Sequence, residues 1–316
     1  MTDIVALGEL IADLTSCGLN EDGFPVLSAH PGGAPANFLA AAAAVGCSAA
    51  MIGKVGDDVF GHLLTRQLRD RGVDTAGVIA DPSVFTTLAF VTVDSEGGRT
   101  FSFARKPGAD TCLRPEELDR ERIRSCRLFH FGTLSLTDEP SASALREAVS
   151  EARGGGALIS TDPNYRPALW ADEKSARIAM EWAIRKADIV KISDDELSFL
   201  WGVSPEEGAR KILGRFGCSL VFVTLGAKGC YAASPEASVR LPVPSGLTAV
   251  DTTGAGDIFW GTAVSRLLKL EGSPHRLERE ALEEVVRYAN AAAAISVTRP
   301  GGMGSVPTRE EILAVI

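Results

Sequence analysis

Short apolar runs rich in β-branched residues alternate with longer helical patterns through most of the 316-residue chain, and this alternation restricts the fold more than any other feature. It is typical of a parallel sheet covered by helices on both faces. The sequence therefore predicts a three-layer α/β/α core with a mainly parallel sheet. The predicted strands are residues 4–7, 49–53, 128–131, 157–161, 189–192 and 220–224, and the predicted helices are 36–45, 59–71, 141–153, 174–186, 205–216, 257–270, 280–294 and 309–315.

One region departs from this alternation. Residues 86–94 and 99–104 are rich in Thr, Val and Phe and flank a Ser-Glu-Gly-Gly sequence, which predicts a β-hairpin. The Gly- and Pro-rich segment 14–31 could supply companion strands. We therefore expect one domain over residues 1–316, with a small β-sheet lid formed by about 14–31 and 84–106.

Composition limits the class of partner. Apolar residues make up 45% of the chain and charged residues 23%, as in ordinary soluble globular proteins, and the net charge of -9 argues against nucleic-acid binding. The Ala-rich run 39–45 is far shorter than the roughly 20 residues of a membrane span. The six cysteines form no C-x-x-C pair and no basic, apolar leader is evident, so we expect a cytoplasmic location, no membrane and a small-molecule ligand. The four scattered histidines are assigned structural or surface roles.

Two glycine-rich segments lie far apart in the sequence, and each runs directly into a predicted helix. They are Pro-Gly-Gly-Ala-Pro-Ala-Asn at 31–37 and Asp-Thr-Thr-Gly-Ala-Gly-Asp at 251–257. Backbone N–H groups of Gly254, Ala255 and Gly256 at a helix start are suited to bind a phosphate. Asp257 is then either an ordinary helix-start residue or a base beside that phosphate. A Walker A loop and a G-x-G-x-x-G after the first strand are both absent.

The two segments resemble the two signature motifs of the ribokinase-like carbohydrate kinases, also called the pfkB family. The matching residues are Gly32, Gly33, Asn37, Gly46 and Gly56 in the first motif and Asp251, Thr252, Gly254, Ala255, Gly256 and Asp257 in the second. The resemblance covers nearly the whole chain, and the stretches 8–13, 101–110, 129–140, 162–166 and 191–196 are similar to the fructokinase branch. The sequence departs from the family pattern at Ala104, where an aromatic is expected, at Ser193, where Asn is usual, and at Thr262.

The resemblance implies ATP-dependent phosphorylation of a primary hydroxyl of a sugar, and the branch implies D-fructose as acceptor and fructose 6-phosphate as product. Asp257 would be the general base that accepts the proton of the hydroxyl. Backbone N–H groups of Gly254, Ala255 and Gly256 would form the anion hole for the transferred phosphoryl group.

The family's sugar-binding positions fall on residues that can hydrogen-bond vicinal hydroxyls or admit a sugar ring closely. Simpler interpretations stay open: Asp13 could end a strand, Asn37 could cap a helix, and the glycine pair could only form a turn. Two arginines could contact the sugar or the phosphate, or could be solvated loop charges. The predicted sugar-binding residues are Asp13, Gly32, Gly33, Asn37, Arg105 and Arg166.

The resemblance also implies ATP, Mg²⁺ and possible K⁺ sites. The residues matched to the nucleotide are Lys191, Thr224, Gly226, Gly229 and Asn290. Glu196 would reach Mg²⁺ through water, or would simply cap the helix that follows Ser193. The loop 224–229 could be only a turn before a hairpin, and the helix that holds Asn290 could serve core packing. A monovalent cation such as K⁺ would lie near Asp251, Thr253 and Ser305.

Alternative functions stay open at this point. Ribokinase, 2-keto-3-deoxygluconate kinase and nucleoside kinase share the architecture, and a non-catalytic sugar or nucleotide sensor could use the same fold. Phe90, Phe101 and Phe103 on the lid could form a homodimer surface or could face the sugar.

Overall fold

The computed structural model describes residues 1–93, 99–270 and 277–316. Its strands are β1 (Ile4–Leu7), β2 (Ile11–Leu19), β3 (Pro25–Gly32), β4 (Ala49–Gly56), β5 (Val73–Asp81), β6 (Leu88–Val93), β7 (Arg99–Ala104), β8 (Leu128–Phe131), β9 (Leu158–Thr161), β10 (Ile189–Ser193), β11 (Leu220–Thr224), β12 (Cys230–Ala233) and β13 (Ser238–Leu241). Its helices are α1 (Ala34–Ala44), α2 (Val59–Asp70), α3 (Arg120–Arg124), α4 (Ser141–Gly154), α5 (Glu173–Lys186), α6 (Asp194–Trp201), α7 (Pro205–Lys211), α8 (Ala255–Leu267), α9 (Arg279–Ser296) and α10 (Arg309–Leu313).

The described strands form a large sheet in the order β13-β12-β11-β10-β9-β8-β1-β4-β5. Neighbouring strands from β11 to β5 in this order are parallel, whereas β12 and β13 continue the sheet as an antiparallel hairpin. The mainly parallel α/β core predicted from the sequence is confirmed. Since parallel strands run in the same direction, their carboxyl ends lie at one edge of the sheet. The loops that follow β1, β9, β10 and β11 therefore lie at this edge.

Helices cover both faces of this sheet. Within β1, Ile4 and Ala6 join a core shared with α1, α8 and α9, whereas Val5 and Leu7 join a second core shared with α4, α5 and α6. Side chains alternate across a strand, so a strand buried on both faces reads as a continuous apolar run. This explains why the four residues of β1 are all buried and apolar.

The small sheet has the strand order β3-β2-β6-β7 and confirms the predicted lid. Strand β2 begins at Ile11, three residues before the expected start of the lid at residue 14. Asp13 therefore lies within β2 rather than at a strand end. The turn predicted at residues 94–98, the side chain of Phe101 and His275 lie outside the described residues. Phe90 and Phe103 are partly buried, and the homodimer suggested through them stays a prediction.

Several elements differ from the sequence-based expectation. Strands β5, β12 and β13 and helix α3 were not among the predicted elements, although a hairpin after the loop 224–229 was one of the open interpretations. Helix α6 confirms the interpretation in which a helix follows Ser193. The predicted helix 205–216 is an α-helix only to Lys211, followed by a π-helical turn over Ile212–Phe216. Each of the missed strands is at or next to an edge of the large sheet and carries a mixed burial pattern or is only four residues long. Such strands lack the continuous apolar run by which the central strands are recognised.

Among the helices of the described residues, none combines the length and the apolar character that crossing a membrane requires.

Helices α1 and α8 pack closely because Gly261 of α8 lies against the backbone of α1. A Cβ at this position would overlap the carbonyl oxygen of Phe38 and would lie 3.0 Å from the Cβ of Ala41. The fully buried Trp260 lies next to it in the same core. The separation of the two helices is therefore set by the absence of a side chain at Gly261.

We predict that Gly261→Ala destabilises the protein by about 1–3 kcal/mol, because the added methyl must push α1 and α8 apart. Gly154, near the end of α4, is the matched control: a Cβ there meets nothing within 4 Å. Gly154→Ala should be neutral or stabilising by up to about 1 kcal/mol. Urea unfolding of both variants tests this, and equal stabilities would contradict the proposed close packing.

Candidate active site

Most of the predicted site residues lie in three parts of the fold: the carboxyl edge of the large sheet, the start of α1 and the start of α8. Ser193 ends β10 and Thr224 ends β11, and the parallel register places these two residues side by side. Asp162 directly follows β9. Ligands of open α/β sheets bind outside this edge.

The second glycine-rich segment forms the start of α8. Gly254 is the N-cap with φ of 76°, a left-handed conformation that favours glycine, and Ala255, Gly256 and Asp257 form the first turn. A Cβ on Gly254 would lie 3.2 Å from the Asn37 side-chain nitrogen, and one on Gly256 would lie 3.1 Å from Lys191 Nζ. The Ala255 N–H donates to the Thr252 carbonyl over 3.3 Å. The positive end of α8 thus lies within contact distance of two predicted site residues.

Asp257 is held by an amide from the other glycine-rich segment. Asn37 Nδ2, in the first turn of α1, donates to Asp257 Oδ2 at 2.9 Å. Asn164 Nδ2 lies 3.5 Å from the other carboxylate oxygen. Although the side chain is partly accessible, it is surrounded closely enough by protein that burial raises its pKa, against the lowering effects of Asn37 and Lys191. A carboxylate with a raised pKa and fixed orientation is suited to accept a proton.

Three of the predicted sugar-binding residues, Asp13, Gly32 and Gly33, lie close together at the end of β3. Burial raises the pKa of Asp13 to about 6, with Arg166 opposing the shift and Asp257 adding to it. A Cβ on Gly32 would overlap the Asp13 carboxylate, and one on Gly33 would overlap the Glu9 carbonyl oxygen, so both glycines are required by close contacts. The charges of Asp13 and Asp257 therefore influence each other, and Arg166 lowers the pKa of both.

Lys191 lies beneath this region in a buried ion pair. Its Nζ is 2.7 Å from Asp162 Oδ2, and both side chains are buried. Burial lowers the pKa of Lys191, but the carboxylates of Asp162, Glu196 and Asp257 outweigh it and raise the pKa above its ordinary value. Lys191 is therefore a charged group beside the first turn of α8. The second oxygen of Asp162 is buried and has no hydrogen-bond partner among the described residues.

Glu196 caps α6, as one of the two sequence interpretations proposed. Its Oε2 accepts from the backbone N–H and hydroxyl of Ser193 at 2.8 and 3.0 Å, and its Oε1 accepts from the Tyr165 N–H at 2.8 Å. The contact with Tyr165 ties the loop after β9 to the loop after β10. A role in binding Mg²⁺ through water stays a prediction.

The predicted nucleotide residues surround the β11 to β12 turn and the end of β13. Thr224 ends β11, and Gly226 and Gly229 have φ of 56° and 94° in a tight turn that leads into β12, so the expected hairpin is present. Asn290 is buried and donates from Nδ2 to the Leu241 and Pro242 carbonyls at 3.1 and 3.0 Å. Contacts of these residues with ATP stay predictions.

Arg105 is buried rather than open to a ligand. Its guanidinium bonds Asp110, with Nε to Oδ2 at 2.8 Å, and also donates to the Thr137 hydroxyl at 2.8 Å and to the Leu134 carbonyl at 3.0 Å. Arg105 directly follows β7, so these bonds fasten the end of the lid to the core. The predicted contact with sugar or phosphate stays a prediction. Arg166, in contrast, is exposed.

The three residues predicted near a monovalent cation lie around Gly301 and Gly302. Asp251 Oδ1 accepts from the Thr253 N–H and hydroxyl, and Oδ2 accepts from the Gly301 N–H at 2.8 Å. Ser305 is buried, and its hydroxyl donates to the Gly302 carbonyl at 3.0 Å. The structure therefore brings Asp251, Thr253 and Ser305 to one loop cluster, and a bound K⁺ stays a prediction.

Sequence reasoning missed three residues of this region. Asp162 and Asn164 belong to the Asp-Pro-Asn-Tyr-Arg stretch at 162–166, of which only Arg166 was singled out. Their position just after a buried strand was the available signal, and Asn164 has φ of 50°, which asparagine tolerates better than most residues. Glu9, the third, follows β1 and is almost fully buried. His130 lies in the core, stacked on Phe38, where burial lowers its pKa to about 3.

A cavity of about 530 Å³ lies elsewhere, at the far ends of α1 and α8. Its lining includes Arg266, Lys269, Glu284 and Arg287, and none of the predicted site residues. Two of its lining charges, Arg266 and Glu284, form an ion pair with each other. The chemistry therefore points to the sheet edge and the starts of α1 and α8 rather than to this cavity.

The sequence and the fold are both similar to those of known proteins. The chain is 42% identical over 318 residues to fructokinase-1 of rice, Oryza sativa subsp. japonica, covering 99% of this chain and 97% of that protein. A probable fructokinase of Arabidopsis thaliana, number 4, is also 42% identical, with coverage of 99% and 96%.

Solved structures agree. Xylella fastidiosa fructokinase with bound ATP superposes with a TM-score of 0.91 at 28% identity, covering 100% of this chain and 98% of that one. Vibrio cholerae fructokinase in its form with fructose, ADP and calcium ion gives a TM-score of 0.86 at 31% identity, covering 99% of both chains.

The family model described as pfkB family carbohydrate kinase matches residues 1–309. The match includes both glycine-rich segments and every residue that the structure places at the candidate site. The resemblance inferred from the two motifs is thereby confirmed, and the chain belongs to the pfkB family of carbohydrate kinases.

Proposed function

We propose that this protein is a fructokinase, which transfers the γ-phosphoryl group of ATP to the 6-hydroxyl of D-fructose. The observation that carries the proposal is the 2.9 Å hydrogen bond between Asn37 and Asp257, which joins the family's two signature segments at the positive end of α8. Support for fructose comes from the curated relatives, which are named fructokinases and match almost the whole chain. It also comes from the Vibrio cholerae structure, which holds fructose and ADP.

Asp257 is the proposed general base. Its carboxylate accepts the proton of the 6-hydroxyl while that oxygen forms a bond to the γ-phosphorus and the bond to the bridging oxygen of ADP breaks. Backbone N–H groups in the first turn of α8, together with Lys191, stabilise the negative charge on the phosphoryl group. The proposal requires Asp257 to be ionised before the hydroxyl reacts.

Asn37 is suited to serve both the base and the sugar. Its Nδ2 donates to Asp257, whereas its Oδ1 is buried without a hydrogen-bond partner among the described residues. A buried acceptor of this kind is costly unless a ligand satisfies it. A sugar hydroxyl that donates to Asn37 Oδ1 would lie next to the proposed base, and Asp13 would accept from a second hydroxyl.

Mg²⁺ is the proposed metal that accompanies ATP. The site is rich in carboxylates, namely Asp13, Asp162, Glu196 and Asp257, which would repel an uncomplexed triphosphate. Asp162, with its unpartnered buried oxygen, and Glu196 are suited to hold the metal through water. When bound, the metal neutralises phosphate charge. K⁺ near Asp251, Thr253 and Ser305 is a further proposal, and a flat dependence of rate on KCl at constant ionic strength would remove it.

A cytoplasmic location is part of the proposal and is supported by cysteine chemistry. The six cysteines are all unpaired, and Cys47, Cys126, Cys218 and Cys230 are buried. Burial raises the pKa of the Cys126 thiol to about 11, which keeps it protonated and unreactive. Free thiols of this kind are typical of proteins in a reducing compartment.

The acceptor is tested by coupled ADP release with Mg-ATP and a panel of fructose, ribose, 2-keto-3-deoxygluconate and adenosine, with the product position assigned by NMR. We expect the highest kcat/KM for fructose and phosphorylation at O6. A higher kcat/KM for another sugar would keep the kinase chemistry but would favour the ribokinase or 2-keto-3-deoxygluconate kinase alternative. Ala104 in the lid, where the fructokinase pattern has an aromatic residue, is the sequence difference that bears on this choice. No turnover with any acceptor would favour a sensor.

Asp257→Asn should lower kcat by about 10²–10⁴-fold while fructose binding, measured by calorimetry, is retained, because the amide cannot accept the proton. Asp195→Asn is the control: it makes the same charge change at an exposed position in the first turn of α6. A kcat for Asp257→Asn above about one tenth of wild type would exclude the general-base role.

Asn37→Ala should move the acid limb of the kcat/KM profile to higher pH. The ionised base is the active form, so the rate falls as pH drops through the pKa of Asp257, which burial already raises and the Asn37 bond opposes. Losing that bond destabilises the carboxylate and raises the pKa further. A lower rate with an unshifted acid limb would show that Asn37 does not tune the base.

A further inference from the structure

Glu9 is a buried carboxyl group at the point where the chain passes from the core sheet into the lid. It lies between β1 and β2, and its side chain is almost fully buried. Its Oε1 accepts a hydrogen bond from the backbone N–H of Ala34 at 3.0 Å. Ala34 is the first residue of α1, the helix that carries Asn37.

Helix α1 lacks the capping groups that most helices take from their own sequence. Its N-cap residue is Gly33, which provides no capping side chain, and its first turn contains no acidic residue. Gly33 cannot be replaced by Ser, Thr or Asp without cost, because its φ is 110° and a Cβ would overlap the backbone of Glu9. The Ala34 N–H at the start of the helix must therefore find its acceptor elsewhere.

We infer that Glu9 acts as a remote N-cap for α1 and thereby positions Gly33 and Asn37. Its importance for catalysis rests on the proposed function. Through the Ala34 N–H it fixes the first turn of α1, in which Asn37 contacts Asp257. Its backbone carbonyl lies where a Cβ on Gly33 would overlap it, and Gly33 is next to Gly32, where a Cβ would overlap the Asp13 carboxylate. Glu9 thereby constrains both halves of the candidate site, one through its carboxylate and the other through its backbone.

The charges that face Glu9 come from the end of the lid. Arg105 and Asp110 both act on it, and they form a buried ion pair with Nη2 to Oδ2 at 2.7 Å. The Thr87 hydroxyl, just before β6, also donates to Asp110. The segments that enter and leave the lid are therefore joined through Asp110, and the charges of this ion pair act on Glu9. Burial raises the pKa of Glu9 to about 7, which means that its surroundings disfavour the charged form of the carboxyl group.

The test compares Glu9→Met with Glu9→Gln. Methionine fills a similar volume but cannot accept the Ala34 N–H, whereas glutamine keeps an acceptor at Oε1. We expect Glu9→Met to lower kcat/KM for fructose at least tenfold and to leave the KM for ATP within about twofold, because the Ala34 N–H loses its acceptor. Glu9→Gln should keep most of the wild-type kcat/KM. Leu145→Val, a change in the buried face of α4, controls for a general loss of packing.

Hydrogen exchange gives a readout that does not depend on activity. Amides of the first turn of α1 should exchange faster in Glu9→Met than in Glu9→Gln, even if the protein proves to phosphorylate another substrate or none. Faster exchange without sugar kinase activity in the wild type would separate failure of the proposed function from failure of this inference.

Three outcomes would overturn the inference. Glu9→Met and Glu9→Gln could change kcat/KM equally, which would show that the acceptor is irrelevant. The exchange of α1 could be the same in both variants. Glu9→Met could fail to fold while Glu9→Gln folds, in which case the residue would serve the fold as a whole rather than the position of Asn37.

Discussion

The packing of α1 against α8 determines the geometry of the candidate site. It brings Asn37 within 2.9 Å of Asp257, although 220 residues separate them in the chain. The contact is close because Gly261 and Gly254 lack side chains where the two elements approach. An amide donor fixes the orientation of the carboxylate, and a fixed orientation lowers the entropic cost of aligning base and hydroxyl. The catalytic geometry is therefore a property of the helix pair rather than of either loop alone.

The electrostatics of the site follow from crowding several carboxylates at one sheet edge. Asp13, Asp162 and Asp257 all have raised pKa values, with burial as the largest cause in each case. Lys191 compensates part of this charge from beneath, and Arg166 compensates part from the exposed side. A site of this kind disfavours a bare polyphosphate and favours one that arrives with a divalent cation. Burial, with a smaller contribution from Glu196, raises the pKa of Asp257, the proposed base.

The sequence predicts the core of this protein well because its central strands are buried on both faces. The apolar runs at β1, β8, β10 and β11 have no other stable environment, and all four are present where expected. The edge strand β5 lacks this signature and was missed, and the short hairpin of β12 and β13 also lacks it and was anticipated only as one interpretation of the loop 224–229. The start of α8 was predicted from Gly254 to Asp257 because its helix-start chemistry is local.

Contacts between distant residues were not predictable in the same way. The bond of Arg105 to the Leu134 carbonyl, the bond from Tyr165 to Glu196, and the bond from Ala34 to Glu9 all depend on tertiary packing. A loop arginine in a sequence is more often solvated, so its burial has no local signal. Glu9 serves as an acceptor because the N-cap of α1 is Gly33, 24 positions further along the chain, which has no capping side chain. No periodic pattern in the sequence indicates that these two positions meet.

The central claim is that Asp257, held by Asn37 at the start of α8, is the base for the sugar hydroxyl. A crystal structure with fructose and a non-hydrolysable ATP analogue tests it most directly. The account predicts O6 of fructose about 2.6–3.2 Å from an Asp257 carboxylate oxygen, with the γ-phosphate at the first turn of α8. A sugar bound with O6 turned away from Asp257, or a γ-phosphate away from α8, would contradict it.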